Sequence, residues 1–93
     1  MPLRFVLPGP LRELVGNRSE VRVDADASSV SEALSVLWRE CPAVRDRVVT
    51  ELGEVRQHVN IFVDGESIRD LEGLATPVSR NAEIFILPAL SGG

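Results

Sequence analysis

The sequence predicts an α+β roll, a mixed sheet of about five strands covered on one face by one main helix. Three observations predict it. Short runs of alternating apolar residues stand near both ends of the chain. One long amphipathic stretch with a strong start signal lies between them. The order reads strand, strand, helix, strand, short strand, strand, which makes the first and last strands central and parallel. One helix suffices for such a sheet, because its second face can stay open to solvent or a partner.

Leu3-Arg4-Phe5-Val6-Leu7 alternates as a strand, with Leu3, Phe5 and Leu7 on one face. Pro8-Gly9-Pro10 breaks it. In the following LRELVG, Pro10 suits the first helical position and Gly16 the left-handed stop. Leu11, Leu14 and Val15 share one side of that short helix. Glu20 to Val23 alternates again and should pair antiparallel with the first strand.

The main helix opens on Ser29-Val30-Ser31-Glu32, a capping box in which serine accepts from the backbone and glutamate reaches back. Val30, Ala33, Leu34, Leu37, Trp38 and Cys41 recur on one face, and Pro42 ends the helix. Ala43 to Leu52 reads as a weaker helix ending near Gly53. His58 to Val63 is a strand with Val59, Ile61 and Val63 on one side. Asp64-Gly65 is a turn signal, and Glu66 to Ile68 a brief return strand. Asp70 to Ser79 is rich in turn residues. Glu83 to Leu87 is the last strand, before Pro88 and the tail.

The chain of 93 residues is one domain, 1–93, with a flexible tail expected over 88–93. Its 44% apolar content fits a globular protein. Fourteen acidic residues against ten basic ones give a net charge of −4. Nucleic-acid binders need a basic excess to neutralise phosphates, so the balance argues against that role. All ten basic residues are arginine, so the chain cannot build lysine-linked chains on itself; codon bias in the source genome accounts for the same count. The single cysteine rules out an internal disulfide framework and fits a reducing compartment. With no basic-then-apolar leader and no apolar stretch long enough to cross a bilayer, the chain reads as cytoplasmic.

Catalytic signals are sparse. One histidine and one cysteine cannot supply the strong ligands of a zinc site. No phosphate-cradling glycine loop is present, and no nucleophile-elbow context surrounds His58. Cys41 lies on the apolar helix stripe and reads as a small hydrophobe. His58 reads as a polar strand-edge residue. Attention falls instead on the ending, PALSGG. Glycine loses the most entropy on ordering, so Gly92 and Gly93 do little for a fold. A frayed terminus explains them blandly; a functional C-terminal carboxylate explains them sharply.

Strand alternation supplies a second candidate. With Ile84 and Ile86 towards the helix, Phe85 and Leu87 face the other way. Phe62 does the same beside Val59, Ile61 and Val63. Phe62, Phe85 and Leu87 would form an exposed apolar patch beside the tail, the mark of an interface, with Arg4 and Arg80 as rim charges.

These residues carry a resemblance. LRELVG after the first strand resembles the molybdopterin-synthase small subunit. HVNIFVDGE, GLATPV and ILPALSGG resemble the carrier that feeds sulfur to a cysteine synthase. The chain thus resembles the ubiquitin-like sulfur carriers of the MoaD/ThiS kind, over most of its length. Ser91 departs from the family's usual alanine, glycine or threonine, and Arg80-Asn81 from its usual Asp-Gly.

The resemblance implies a β-grasp, ubiquitin-like fold and a carrier with no catalytic side chain or bound cofactor of its own. A ubiquitin-activating-like enzyme would use ATP to adenylate the Gly93 carboxylate, and sulfur would then displace AMP to leave a thiocarboxylate. Gly92 and Gly93 would thread the narrow channel to the nucleotide, with Phe62, Phe85, Leu87, Pro88, Leu90 and Ser91 meeting the partner. The receiver would be a synthase subunit in molybdopterin biosynthesis or a cysteine synthase. The alternative is a ubiquitin-like modifier joined through Gly93 to lysines of other proteins.

Overall fold

The structure, a computed structural model, describes residues 2–88. Five strands form one sheet: β1 (Pro2–Val6), β2 (Glu20–Asp24), β3 (Val59–Val63), β4 (Glu66–Ser67) and β5 (Glu83–Pro88), in the order β2-β1-β5-β3-β4. β1 and β5 are parallel neighbours at the centre, and every other pairing is antiparallel. Three helices, α1 (Pro10–Glu13), α2 (Val30–Glu40) and α3 (Pro42–Val48), complete the regular structure with two short 3-10 turns. The expected β-grasp roll is the observed one.

One face of the sheet is the core. Leu3 and Phe5 of β1, Val21 and Val23 of β2, Val59, Ile61 and Val63 of β3, and Ile84 and Ile86 of β5 are all buried. Against them lie Val30, Ala33, Leu34, Val36 and Leu37 of α2 and Val44 and Val48 of α3. Val36 joins this set although the helical stripe read from the sequence passes it by. Cys41 is buried between α2 and α3, as a small core residue.

The start of α2 is held from two sides. Ser29 Oγ accepts from the Glu32 amide at 3.2 Å. The Glu32 carboxylate reaches one residue past the cap, accepting from the Ser28 amide at 2.9 Å and its hydroxyl at 3.0 Å. These bonds from Ser28 favour the charged carboxylate and hold Glu32 below its ordinary value. The GLATPV segment supplies the second hold. The Thr76 carbonyl accepts from the Val30 amide at 2.9 Å, satisfying a helix-terminal donor that has no partner within the helix.

Two turns are bent as their residues allow. Asp64 and Gly65 both have positive φ, 49° and 90°, as a two-residue hairpin turn requires. Asp64 also ties this hairpin to β5, its carboxylate accepting from the Glu83 amide at 3.0 Å. Asn81 adopts φ 61° before β5, the turn geometry expected of it in place of glycine.

α3 corrects the sequence reading. The helix ends at Val48, not near Leu52. Val48, Val49 and Thr50 are a β-branched run, poorly suited to helix. Val49 turns extended and bridges Val55. Leu52 is left 81% exposed. β5 also runs further than expected, to Pro88, which pairs with Val59. Pro88 therefore belongs to the strand and not to the tail expected over 88–93, the rest of which lies outside the described residues.

Candidate partner face and tail exit

The second face of the sheet carries an apolar row. Phe62 on β3 stands across from Phe85 on β5, and Phe85 lies beside Val6 on β1. The two phenylalanine rings meet edge to face, with centroids 6.1 Å apart at 72°, a favourable aromatic geometry. Val6, Phe62 and Phe85 are half-buried. Leu87 is two residues nearer the tail and 39% exposed.

Leu87 and Pro88 also form one wall of a groove of about 120 Å³, closed on the other side by Pro8, Gly9 and Pro10. Pro88, the last described residue, lies in this groove. The face and the exit are therefore continuous. Of the residues expected at the site, Phe62, Phe85, Leu87 and Pro88 are brought together. Leu90, Ser91, Gly92 and Gly93 lie outside the described residues.

The rim is polar. Arg4 faces Glu83 at 3.6 Å, and Arg22 faces Glu20 at 2.6 Å. Arg69 donates to Asn60 at 2.6 Å and to the carbonyls of Arg56 and Gln57 at 3.2 and 3.0 Å. It thereby fixes the start of β3 beside the exit. Arg80 is elsewhere: with Leu3, Asp26 and Asn81 it lines a hollow at the beginning of β5, away from the tail. No group of three or more metal-binding side chains occurs among the described residues.

Val6 and the Pro8–Pro10 wall belong to the site but were not singled out from the sequence. Alternation already placed Val6 opposite Phe5 and Leu7. The wall needed the parallel register of β1 against β5, which only the fold reveals.

The model of the ThiS family matches residues 5–93. The chain belongs to the ThiS family. It is 34% identical over 92 residues to small archaeal modifier protein 1 of Haloferax volcanii, covering 98% of this chain and all of that one. The crystal structure of SAMP1 from that organism superposes with a TM-score of 0.85 over the whole of both chains, at 31% identity. It is 29% identical over 95 residues to the sulfur carrier protein CysO of Mycobacterium tuberculosis, end to end on both. It also resembles a chain of the Amycolatopsis orientalis BexX/CysO complex, with TM-score 0.84, 26% identity and coverage of 98% and 99%. These relatives are small carrier and modifier proteins rather than enzymes. No helix of the described residues is long and apolar enough to cross a membrane.

Proposed function

We propose that this ThiS-family member is a sulfur carrier whose working group is the Gly93 carboxylate. A carboxylate resists acyl transfer, because its charge repels nucleophiles and oxide leaves poorly. An ATP-dependent, ubiquitin-activating-like enzyme attaches AMP to Gly93, with pyrophosphate leaving. Sulfide then attacks the acyl carbon and AMP departs; where a persulfide attacks instead, the acyl disulfide so formed is cleaved by a second thiol, which ends as a disulfide. The product is a thiocarboxylate, which hands sulfur to a synthase in molybdopterin or cysteine biosynthesis. The carrier itself binds no cofactor. It contributes a docking face, Val6, Phe62, Phe85 and Leu87, and an unobstructed tail.

One observation carries this reading. β5, the central strand, runs from the apolar face directly into a tail ending Gly92-Gly93. A partner seated on the face would have the terminus delivered to it. The BexX/CysO complex supports the expectation that such carriers meet protein partners. The test is adenylation by a ubiquitin-activating-like enzyme of this family, followed as pyrophosphate release. Removing Gly93 should abolish it. Undiminished release with the shortened chain would refute the role of the terminus.

The likeness to small archaeal modifier protein 1 favours a second reading, attachment through Gly93 to lysines of other proteins. Both readings need the same activated terminus. They separate on what the terminus carries in the cell.

A further inference from the structure

We infer that the outer edge of β2 pairs with itself, joining two copies of this chain through their Glu20–Asp24 strands into one continuous sheet. β2 stands last in the order β2-β1-β5-β3-β4, so no strand lies on its far side. The opposite edge, β4, is only two residues long against five for β2. The register against β1 decides which backbone groups β2 presents there. The Leu7 amide donates to the Ser19 carbonyl at 3.0 Å, and the pairing continues through Phe5 with Val21 and Leu3 with Val23. Hydrogen-bonded pairs alternate with non-bonded ones in an antiparallel ladder. Ser19, Val21 and Val23 therefore turn their amides and carbonyls to β1, while Glu20 and Arg22 turn theirs outward. These Glu20 and Arg22 backbone groups have no partner among the described residues. An edge of this kind is a template for another strand.

The side chains beside it say which strand. Glu20, Arg22 and Asp24 stand at every second residue and share one face. Arg18 precedes them at the same spacing, so the charges alternate in sign. An antiparallel partner that bonds to the outward groups must set even-numbered residues against even-numbered ones. Centred on Val21, that register places Glu20 against Arg22 of the second copy, Arg22 against its Glu20, and Arg18 against its Asp24. Every charge meets its opposite. Centred on Glu20 or on Arg22, it brings that residue against itself, and like charges directly across a ladder are destabilising. Larger shifts leave the strand. Gly16 and Asn17, at φ 69° and 62°, turn the chain before Arg18, and β2 ends at Asp24.

Within one copy Arg22 already faces Glu20 at 2.6 Å, with its side chain 68% exposed. Self-pairing joins the two ion pairs into a cluster of four charges. It also leaves the apolar row uncovered. Paired antiparallel strands keep like faces together, so Val6, Phe62 and Phe85 of both copies lie on one side of the joined sheet. The two β5 strands are five strand spacings apart, ~24 Å, and run in opposite directions. Each copy keeps its own docking face.

One short strand is a small contact, in the weak class below ~1,200 Å². The test is sedimentation equilibrium of the full chain at low salt, with loading concentrations up to about 1 mM. The parent should rise towards twice the monomer mass. Arg22→Glu, which sets Glu20 against a second carboxylate, should lower the association constant about tenfold or more. The double variant Glu20→Arg with Arg22→Glu restores opposite charges only in the register centred on Val21, and should recover the parent's association. Added salt should weaken the parent and the double variant alike. Circular dichroism checks that each chain is folded. A parent that stays monomeric throughout would overturn the inference and make the alternating charges a guard against edge pairing. So would Arg22→Glu associating as strongly as the parent, or a folded double variant that remains monomeric.

Discussion

At the residue scale, two phenylalanines show how position decides role. Phe5 and Phe85 sit on adjacent central strands. Phe5 is fully buried, while Phe85 stands half-exposed on the opposite face. Phe5→Ala should cost about 3–5 kcal/mol of stability, from lost burial and the cavity left behind, as measured by urea unfolding. Phe85→Asp should instead weaken binding to the activating enzyme while the fold persists. Circular dichroism and a titration together check this; unchanged affinity with a normal fold would contradict the docking face. Alternation alone distinguishes these two roles, so this part of the site was legible in the sequence. Val36 and Leu52 were not. The first is buried beside the expected stripe, and the second is exposed where a helix was expected to bury it. Both depend on how α2 and α3 pack and where α3 ends.

At the scale of elements, the helix start and the last strand matter most. Ser29→Ala removes the oxygen that caps α2 and should cost about 1 kcal/mol, seen as a lowered urea midpoint. The Glu32 carboxylate adds a pH-dependent contribution. Its folded pKa is depressed below 4.5 by the bonds from Ser28. The contribution is therefore present above the unfolded value and is lost as pH falls through the folded one. Glu32→Gln should be less stable than the parent at neutral pH, and the gap should narrow in acid. The capping box was legible because its spacing is local. The extra reach to Ser28 and the support from Thr76 were not, since the latter joins residues far apart in sequence. The same holds for the groove at Pro8–Pro10, which exists because the segment after β1 lies beside the end of its parallel neighbour β5.

For the whole molecule, the architecture sets the apolar row beside the end of the central strand β5. The core occupies one face of the sheet, the apolar row occupies the other, and the central strand carries the chain out between them. Element order was sufficient to place the first and last strands together, because a helix crossover between them leaves few alternatives. Gly92→Val should leave this fold intact and slow activation, since a Cβ narrows the passage of the tail to ATP. Normal folding with unaltered activation would remove the steric role of Gly92. The most direct test of the carrier reading is the intact mass of the protein isolated from its native cells. It should show one oxygen at Gly93 replaced by sulfur. An ordinary carboxylate, persisting even when the activating enzyme, ATP and a sulfur source are supplied, would contradict it.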